Sequence, residues 1–274
     1  MASANPFKSQ SIQYFGASGK YAFKNDYFLQ LLEGALASTE AQYGAWKLSQ
    51  FATPMNQSRA IDNMAQSCDF DIQWHMTTSL REEQMRPIRI PLYKGLYGYR
   101  ALMVHVDSKP LFADIDSLEQ LQQFLAGQGH DWPDTGILKH NGFNVQGVNN
   151  YHGLFDLLVQ KRIDYFPRSV AEIGEELTMH AEKPLLSDTH ILLYYPAPIY
   201  FFVCKQHDIL AKRLEEGLKN IIQNGLFDEV FNASGEYQSF LKLGGFSNKI
   251  IFELENPLVS KAHLPQDKHL WLVP

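Results

Sequence analysis

Short apolar runs typical of buried strands alternate along this chain with segments whose apolar residues recur every three or four positions. In the first hundred residues the runs lie at 11–15 and 45–52, and a third begins near Asp71. The spacing between them predicts helices over 26–43 and around 58–64. Because strand and helix alternate, we expect a parallel sheet with crossover helices.

A second series of the same kind begins after Asp107. The pattern predicts a helix over 117–127, a short helix over 137–140, a strand over 144–148, a helix ending near Lys161 and a strand over 162–166. Ser169 and Glu172 have the spacing of a capping box, which predicts a further helix start.

The run 191–205 is again apolar and rich in strand-forming residues, but two prolines interrupt it. Proline is tolerated in strands at edges, starts and breaks, so we expect a strand that changes partners midway. Together with an outward crossing near 99–106, this predicts two lobes. Residues 1–103 and 195–274 would form a discontinuous lobe 1, and residues 104–194 an inserted lobe 2.

Composition narrows the class of protein. The chain has 274 residues, 45% of them hydrophobic and 20% charged, and a net charge of −6 with scattered basic residues. Nucleic-acid binding is therefore not expected. No run approaches the roughly 18 apolar residues of a membrane span, so membrane insertion is not expected either. The start, MASANPFKSQ, lacks the apolar core of a signal peptide.

The two cysteines, Cys68 and Cys204, lie too far apart for a CxxC redox or zinc motif. They could form one disulfide or remain two buried thiols, and the sequence favours thiols because free cysteine is commonly a small core residue. The ten histidines form no HExxH motif, and no GxSxG elbow is present. No metal site, cofactor or catalytic residue is expected.

Several motifs point to a known family. Asp71 leads through Thr78 to Arg81, and Pro-Leu-Tyr at 91–93 then opens a hinge-like run. With RIDYFPRSVAEI at 162–173, this pattern resembles the type 2 periplasmic solute-binding proteins, in particular the amino-acid-binding branch, bacterial extracellular solute-binding protein family 3. The motifs WPDTGIL and ENPL add a similarity to a bacterial subgroup of transporter-type substrate-binding domains.

The resemblance implies an α/β fold of two lobes joined by two hinge strands. It also implies a monomeric periplasmic protein, its leader removed, that delivers a small solute to an ABC-type transporter or to a membrane receptor. One departure concerns the ligand. The amino-acid binders place an Asp about five residues after the strand Asp, whereas counting from Asp164 leads here to Arg168 and Ser169.

Two arginines are the main candidates for ligand binding. Arg81 could clamp a carboxylate with its planar guanidinium, or pair on the surface with a neighbouring glutamate. Arg168 precedes a predicted helix start, where anions bind readily, but could instead bridge to Glu172 or Glu175. If both arginines faced one cleft, the ligand would be anionic or carry a carboxylate.

The remaining candidates are weighed against ordinary structural roles. Trp74 and Trp132 could be stacking walls of a binding site or simply core residues. Thr77 and Thr78 could offer hydroxyl and amide groups to a ligand or form an ordinary turn. Arg59 is expected in a loop on the same edge, and Ser169 could contact the ligand, although its capping role is favoured.

A binding module that closes two lobes on a small polar, anionic solute is therefore the leading hypothesis. The alternative is a dehydratase-like enzyme on the same scaffold, for which Glu172 or His75 would have to serve as general acid or base. A protein-interaction domain without a ligand would instead fill its cleft with its own side chains.

Overall fold

A computed structural model describes residues 10–17 and 25–272 of the chain. They fall into two compact units. Unit 1 comprises the described residues of Met1–Tyr93, Ile199–Ser234 and Ser260–Leu270, and unit 2 those of Lys94–Pro198, Gly235–Val259 and Trp271–Pro274. Within the described ranges, no helix has the length and apolar character needed to cross a membrane.

The strands are β1 Gln10–Tyr14, β2 Trp46–Gln50, β3 Ile72–Met76, β4 Arg86–Ile88, β5 Tyr99–His105, β6 Leu125–Gly129, β7 Asn144–Val148, β8 Tyr165–Ser169, β9 Leu185–Tyr194, β10 Ile199–Val203 and β11 Ile250–Glu253. The helices are α1 Asp26–Ser38, α2 Glu40–Tyr43, α3 Gln57–Gln66, α4 Ser79–Gln84, α5 Lys109–Ala113, α6 Leu118–Leu121, α7 Pro133–His140, α8 Tyr151–Val159, α9 Ile173–Met179, α10 Asp208–Gln223, α11 Leu226–Ala233 and α12 Gly235–Lys242.

The sheet of unit 1 has the order β2-β1-β3-β10-β4. β1 is parallel to β2 and β3, whereas β10 runs antiparallel to β3 and β4. Because β1, β2 and β3 are parallel, their carboxyl ends lie at one common edge of the sheet.

Helices α1 and α10 approach each other closely at Gly217, where a side chain would collide with the backbone of Ala35.

The sheet of unit 2 has the order β11-β9-β5-β8-β6-β7. β5 is buried at all seven positions and runs antiparallel to both β8 and β9. Its second residue, Arg100, is only 1% exposed. A buried arginine is costly unless it is paired, so a counter-charge must lie beside it.

The two-lobe α/β fold predicted from the sequence is confirmed. The run 191–205 supplies β9 to the sheet of unit 2 and β10 to that of unit 1, so the strand does change partners at the prolines.

The observed division differs from the predicted lobes at both crossings and near the end of the chain. The return crossing falls after Pro198, and Trp271 and Leu272 belong to unit 2. β5 lies inside the sheet of unit 2, and unit 1 gives way to unit 2 at Tyr93 and Lys94. Residues 235–259 also belong to unit 2, because β11 pairs in parallel with β9 there.

Two local predictions were wrong for physical reasons. The helix predicted over 117–127 ends at Leu121, because residues 125–129 form β6 and pair with β7 and β8. Ser169 does not cap a helix. It is the last residue of β8, and Glu172 occupies the N-cap position of α9.

Cys68 and Cys204 form a disulfide with a Cα–Cα distance of 5.7 Å, which corrects the preference for free thiols. The bridge joins the residues that follow α3 and β10, beside a buried apolar cluster that includes Met64, Phe70 and Phe202. The two positions are 136 residues apart, so only the fold could show that they meet.

Candidate functional site

Unit 1 contains a pocket of about 270 Å³ at the carboxyl edge of its parallel strands. Its walls come from the residues that follow β1 and β2 and from β3 itself, and include Phe15, Phe51, Met55 and Trp74. Parallel strands end together, so the loops that leave them meet at the same edge, where α/β proteins commonly bind ligands. We call this cavity the unit 1 pocket.

A chain of hydrogen bonds crosses the polar side of the unit 1 pocket. Arg81 Nη2 donates to Gln57 Oε1 at 3.0 Å, and Gln57 Nε2 lies 3.1 Å from His75 Nδ1. His75 Nε2 lies 2.6 Å from Gln73 Oε1, and Gln73 Nε2 donates to Met85 Sδ at 2.9 Å. The chain joins α3, α4 and β3 within unit 1.

The direction of these bonds determines the state of His75. A guanidinium can only donate, so Gln57 must turn its oxygen to Arg81 and its NH₂ to His75 Nδ1. Nδ1 is therefore an acceptor, and the ring proton sits on Nε2, which donates to Gln73. Burial, and then the positive charge of Arg81, hold the pKa of His75 well below its ordinary value of 6.5. The imidazole is neutral.

Thr77 and Thr78 lie in the turn after β3, as predicted, and Arg81 lies in the helix α4 that follows, but each has a partner within unit 1. Arg81 Nη1 donates to the carbonyl oxygen of Met76 at 2.6 Å, and Thr78 caps α4 by accepting from the Arg81 amide at 3.2 Å. Thr77 Oγ1 donates to Glu82 at 2.8 Å. Arg81 is not among the residues that line the unit 1 pocket.

Of the other two candidate residues in unit 1, Trp74 lies at the pocket and Arg59 lies on an exposed helix surface. Trp74 lines the pocket, and its ring stacks on Phe28 with centroids 4.8 Å apart. Arg59 was expected in a loop, but it lies in the first turn of α3 with an exposed side chain. The helix begins earlier than predicted because Asn56 accepts from the Arg59 amide at 2.9 Å and caps it.

In unit 2, Arg168 is buried and fully engaged by carboxylates. Its Nη2 donates to Glu176 Oε1 at 2.6 Å, its Nε donates to Glu176 Oε2 at 2.8 Å, and Glu172 lies 3.0 Å away. The guanidinium carbon lies 5.0 Å from the ring centroid of Trp132. Burial opposes the charge of Arg168, but the two glutamates outweigh it and raise its pKa well above the usual value.

These contacts correct the sequence-based hypothesis of an anion clamp at Arg168. Arg168 instead bridges to neighbouring glutamates, Glu172 and Glu176. The bridge is buried and not on the surface as that alternative had assumed. The ring of Trp132 packs against the guanidinium of Arg168 in this bridge. Ser169 is fully buried and accepts from the Ala171 amide at 3.2 Å.

A second buried ion pair was missed by the sequence analysis. Arg100 Nη2 lies 2.8 Å from Asp134 Oδ1, and its Nε donates to Tyr195 Oη at 2.8 Å. Tyr195 Oη in turn donates to Asp134 at 2.5 Å. Burial would raise the pKa of Asp134, but Arg100 and this hydrogen bond lower it below the usual value. The sequence offered one signal for this ion pair, namely that Arg100 stands in the apolar run that forms β5.

The two ion pairs belong to one cluster. The pKa of Tyr97 depends on residues of both ion pairs. Burial and then Glu172 raise this pKa, and Arg100 and Arg168 oppose the increase. We use the name charged cluster for Arg100, Asp134, Arg168, Glu172 and Glu176. Two positive and three negative groups give this set a formal charge of −1, so the cluster does not present the anion-attracting field expected from its arginines.

Within residues 10–17 and 25–272, no group of three His, Cys, Asp or Glu side chains is placed to hold a metal ion.

Comparison with known proteins identifies the fold. No protein-family model matches the chain, and no curated protein matches it. Among solved structures, it is similar to a putative binding component of an ABC transporter from Wolinella succinogenes, complexed with lysine. That similarity has 14% identity and a TM-score of 0.60, and covers 83% of this chain and 98% of the other.

Two further structures have comparable similarity. The GluR0 ligand-binding core in complex with L-glutamate has 14% identity and a TM-score of 0.58, with 83% of this chain and 98% of the other covered. An ancestral amino-acid-binding protein described as a precursor of cyclohexadienyl dehydratase has 17% identity and a TM-score of 0.57, with 81% and 94% covered. The fold is thus that of the two-lobe type 2 solute-binding proteins, as the motifs had indicated.

Proposed function

We propose that this chain is a ligand-binding protein that takes up a small polar solute of about the size of an amino acid. The observation that supports this most directly is the open unit 1 pocket at the carboxyl edge of β1 and β2. The fold supports it as well, since the similar structures were solved with lysine or glutamate bound.

The expectation of a purely anionic ligand is not supported. It rested on Arg81 and Arg168 as free clamps, and both guanidinium groups donate to protein acceptors. The similar structures hold a cationic and an anionic amino acid, so the fold does not select one charge. We therefore propose a polar solute that need not be negatively charged.

We further propose that the protein acts in the periplasm, where a membrane transporter of the ABC type or a membrane receptor would take up or sense the bound solute. Closure of the two lobes on that solute stays a prediction, as does the monomeric state.

The first experiment screens the purified protein against amino acids, organic acids and short peptides by thermal shift, with native mass spectrometry to detect a co-purified ligand. A ligand at a hundred times its Kd should stabilise the protein by about 2.7 kcal/mol, which raises Tm by several degrees. If no compound shifts Tm and no ligand co-purifies, the proposal is wrong.

An enzyme on this scaffold finds little support in the geometry. Both ring nitrogens of His75 are occupied by glutamine side chains. Glu172 is paired with Arg168. A general acid or base must reach a substrate proton, and these groups face protein partners instead. NMR of a bound compound over hours would test this, because conversion to a new product would favour the enzyme.

A further inference from the structure

We propose that the unit 1 pocket receives an uncharged aromatic group, so that the solute carries a neutral ring which enters it. This inference rests on the proposed function, and it adds a chemical class for one part of the ligand. Three observations support it: the aromatic walls, the neutral polar side and the size of the pocket.

The aromatic walls of the unit 1 pocket are held in place from behind. Phe15 and Phe51 both contact Phe70, with ring centroids 5.2 and 5.4 Å away, and Phe70 is 1% exposed. Trp74 stacks on Phe28 and on Tyr14, with ring centroids 4.8 and 5.9 Å away. A ligand ring that enters would therefore meet walls that are already ordered, and binding would cost little side-chain entropy.

The residues that line the unit 1 pocket carry no formal charge. None of the described ones is an acid, a lysine or an arginine, and burial together with Arg81 keeps His75 neutral. Arg81 itself does not line the pocket but donates to Gln57 from behind it. Burying a charged group there without a counter-ion would be strongly unfavourable.

Backbone groups at the end of β1 are also occupied. The amide of Ala17 donates to Asn25 Oδ1 at 2.8 Å, and its carbonyl oxygen accepts from Gln50 Nε2 at 2.8 Å. These two groups of Ala17 are therefore not offered to an ionic ligand.

The volume fits a single substituted ring. A cavity of roughly 150 Å³ is sufficient to bind benzene, whereas the unit 1 pocket measures about 270 Å³. A six-membered ring with one polar substituent therefore has room to enter it. Aromatic rings also prefer the offset-stacked or edge-on contacts that several ring walls supply.

The test compares three probes that share one ring and differ in charge: benzamide, benzoate and benzamidinium. Binding to the full chain is measured by NMR titration. We expect benzamide to bind with a Kd at least about tenfold lower than either ion, because only the neutral probe avoids burial of an unpaired charge. Cyclohexanecarboxamide, which lacks the aromatic ring, should bind more weakly than benzamide.

A pocket-filling variant locates the binding site. Ala52 lines the pocket but is exposed, so Ala52→Phe should fold normally and weaken benzamide binding by about tenfold or more. Ala181→Phe, at an exposed turn of unit 2, is the matched control and should leave binding unchanged.

The outcomes separate this inference from the proposed function. Equal binding of benzoate or benzamidinium, or benzamide binding unaffected by Ala52→Phe, would overturn the inference. If an amino acid or organic acid from the solute screen binds while benzamide does not, the aromatic pocket is wrong and the ligand-binding function stands. If no solute binds at all, the proposed function fails.

Discussion

The buried bridge between Arg168 and Glu176 makes a strong prediction about stability. Glu176 is 1% exposed and accepts three hydrogen bonds from Arg168, at 2.6 to 3.0 Å, and one from Tyr151 at 2.7 Å. Glu176→Ala removes all of these acceptors and leaves a buried guanidinium with Glu172 as its remaining carboxylate. Breaking a buried pair in this way costs about 3–5 kcal/mol of unfolding free energy.

A graded variant tests the cause. Glu176→Gln keeps the shape and an acceptor oxygen but removes the charge, so it should cost about 1.5–3 kcal/mol, the value of charged hydrogen bonds. Glu182→Ala is the matched control, because the Glu182 side chain is 69% exposed and lies 3.8 Å from His180. It should change stability by less than about 0.5 kcal/mol.

The assay is urea unfolding, followed by circular dichroism and by tryptophan fluorescence, since Trp132 lies against Arg168. The two units can unfold separately, so a single transition is fitted only where the two signals coincide. A loss of less than about 1 kcal/mol for Glu176→Ala is the value of an exposed pair and would refute a buried bridge.

Four further predictions concern unit 1 and helix α7 of unit 2. Because the pKa of His75 lies well below 6.5, the unfolded chain gains a proton first as pH falls. Stability should then drop below pH 6.5 by up to about 1.4 kcal/mol per pH unit, and His75→Gln should lack this one-proton slope in urea titrations at several pH values. Replacing Cys68 and Cys204 by serine should cost about 2–5 kcal/mol in chemical unfolding. Gly217→Ala should cost about 1–3 kcal/mol by overpacking α10 on α1. Gly136→Ala, with open space around it, should stabilise by about 0.5–1 kcal/mol in the same assay.

Each of these has a clear contrary result. An unchanged pH slope in His75→Gln would mean that the imidazole titrates normally. Serine variants as stable as the parent would show that the bridge adds nothing to the fold. Equal effects of the two glycine substitutions would mean that helix propensity, and not the contact with Ala35, governs Gly217.

The sequence by itself determined the class of fold. Apolar periodicity located most strands and helices, and two prolines in 191–205 marked the point where the chain changes sheets, because proline cannot continue an interior ladder. The motif around Arg81 pointed to the two-lobe scaffold through its resemblance to a known family. Trp74 lines the unit 1 pocket, and its contact with a ligand stays a prediction.

Tertiary structure decided the chemistry. Arg168 was predicted to be an anion clamp or a bridge to Glu172 or Glu175, and the structure pairs it with Glu172 and with Glu176, eight residues away on α9. Asp134 on α7 likewise meets Arg100 on β5. The state of His75 depends on Gln57 and Arg81, which lie on different helices. Charge and hydrogen-bond direction depend on distances between atoms far apart in sequence, and periodicity carries no information about those distances.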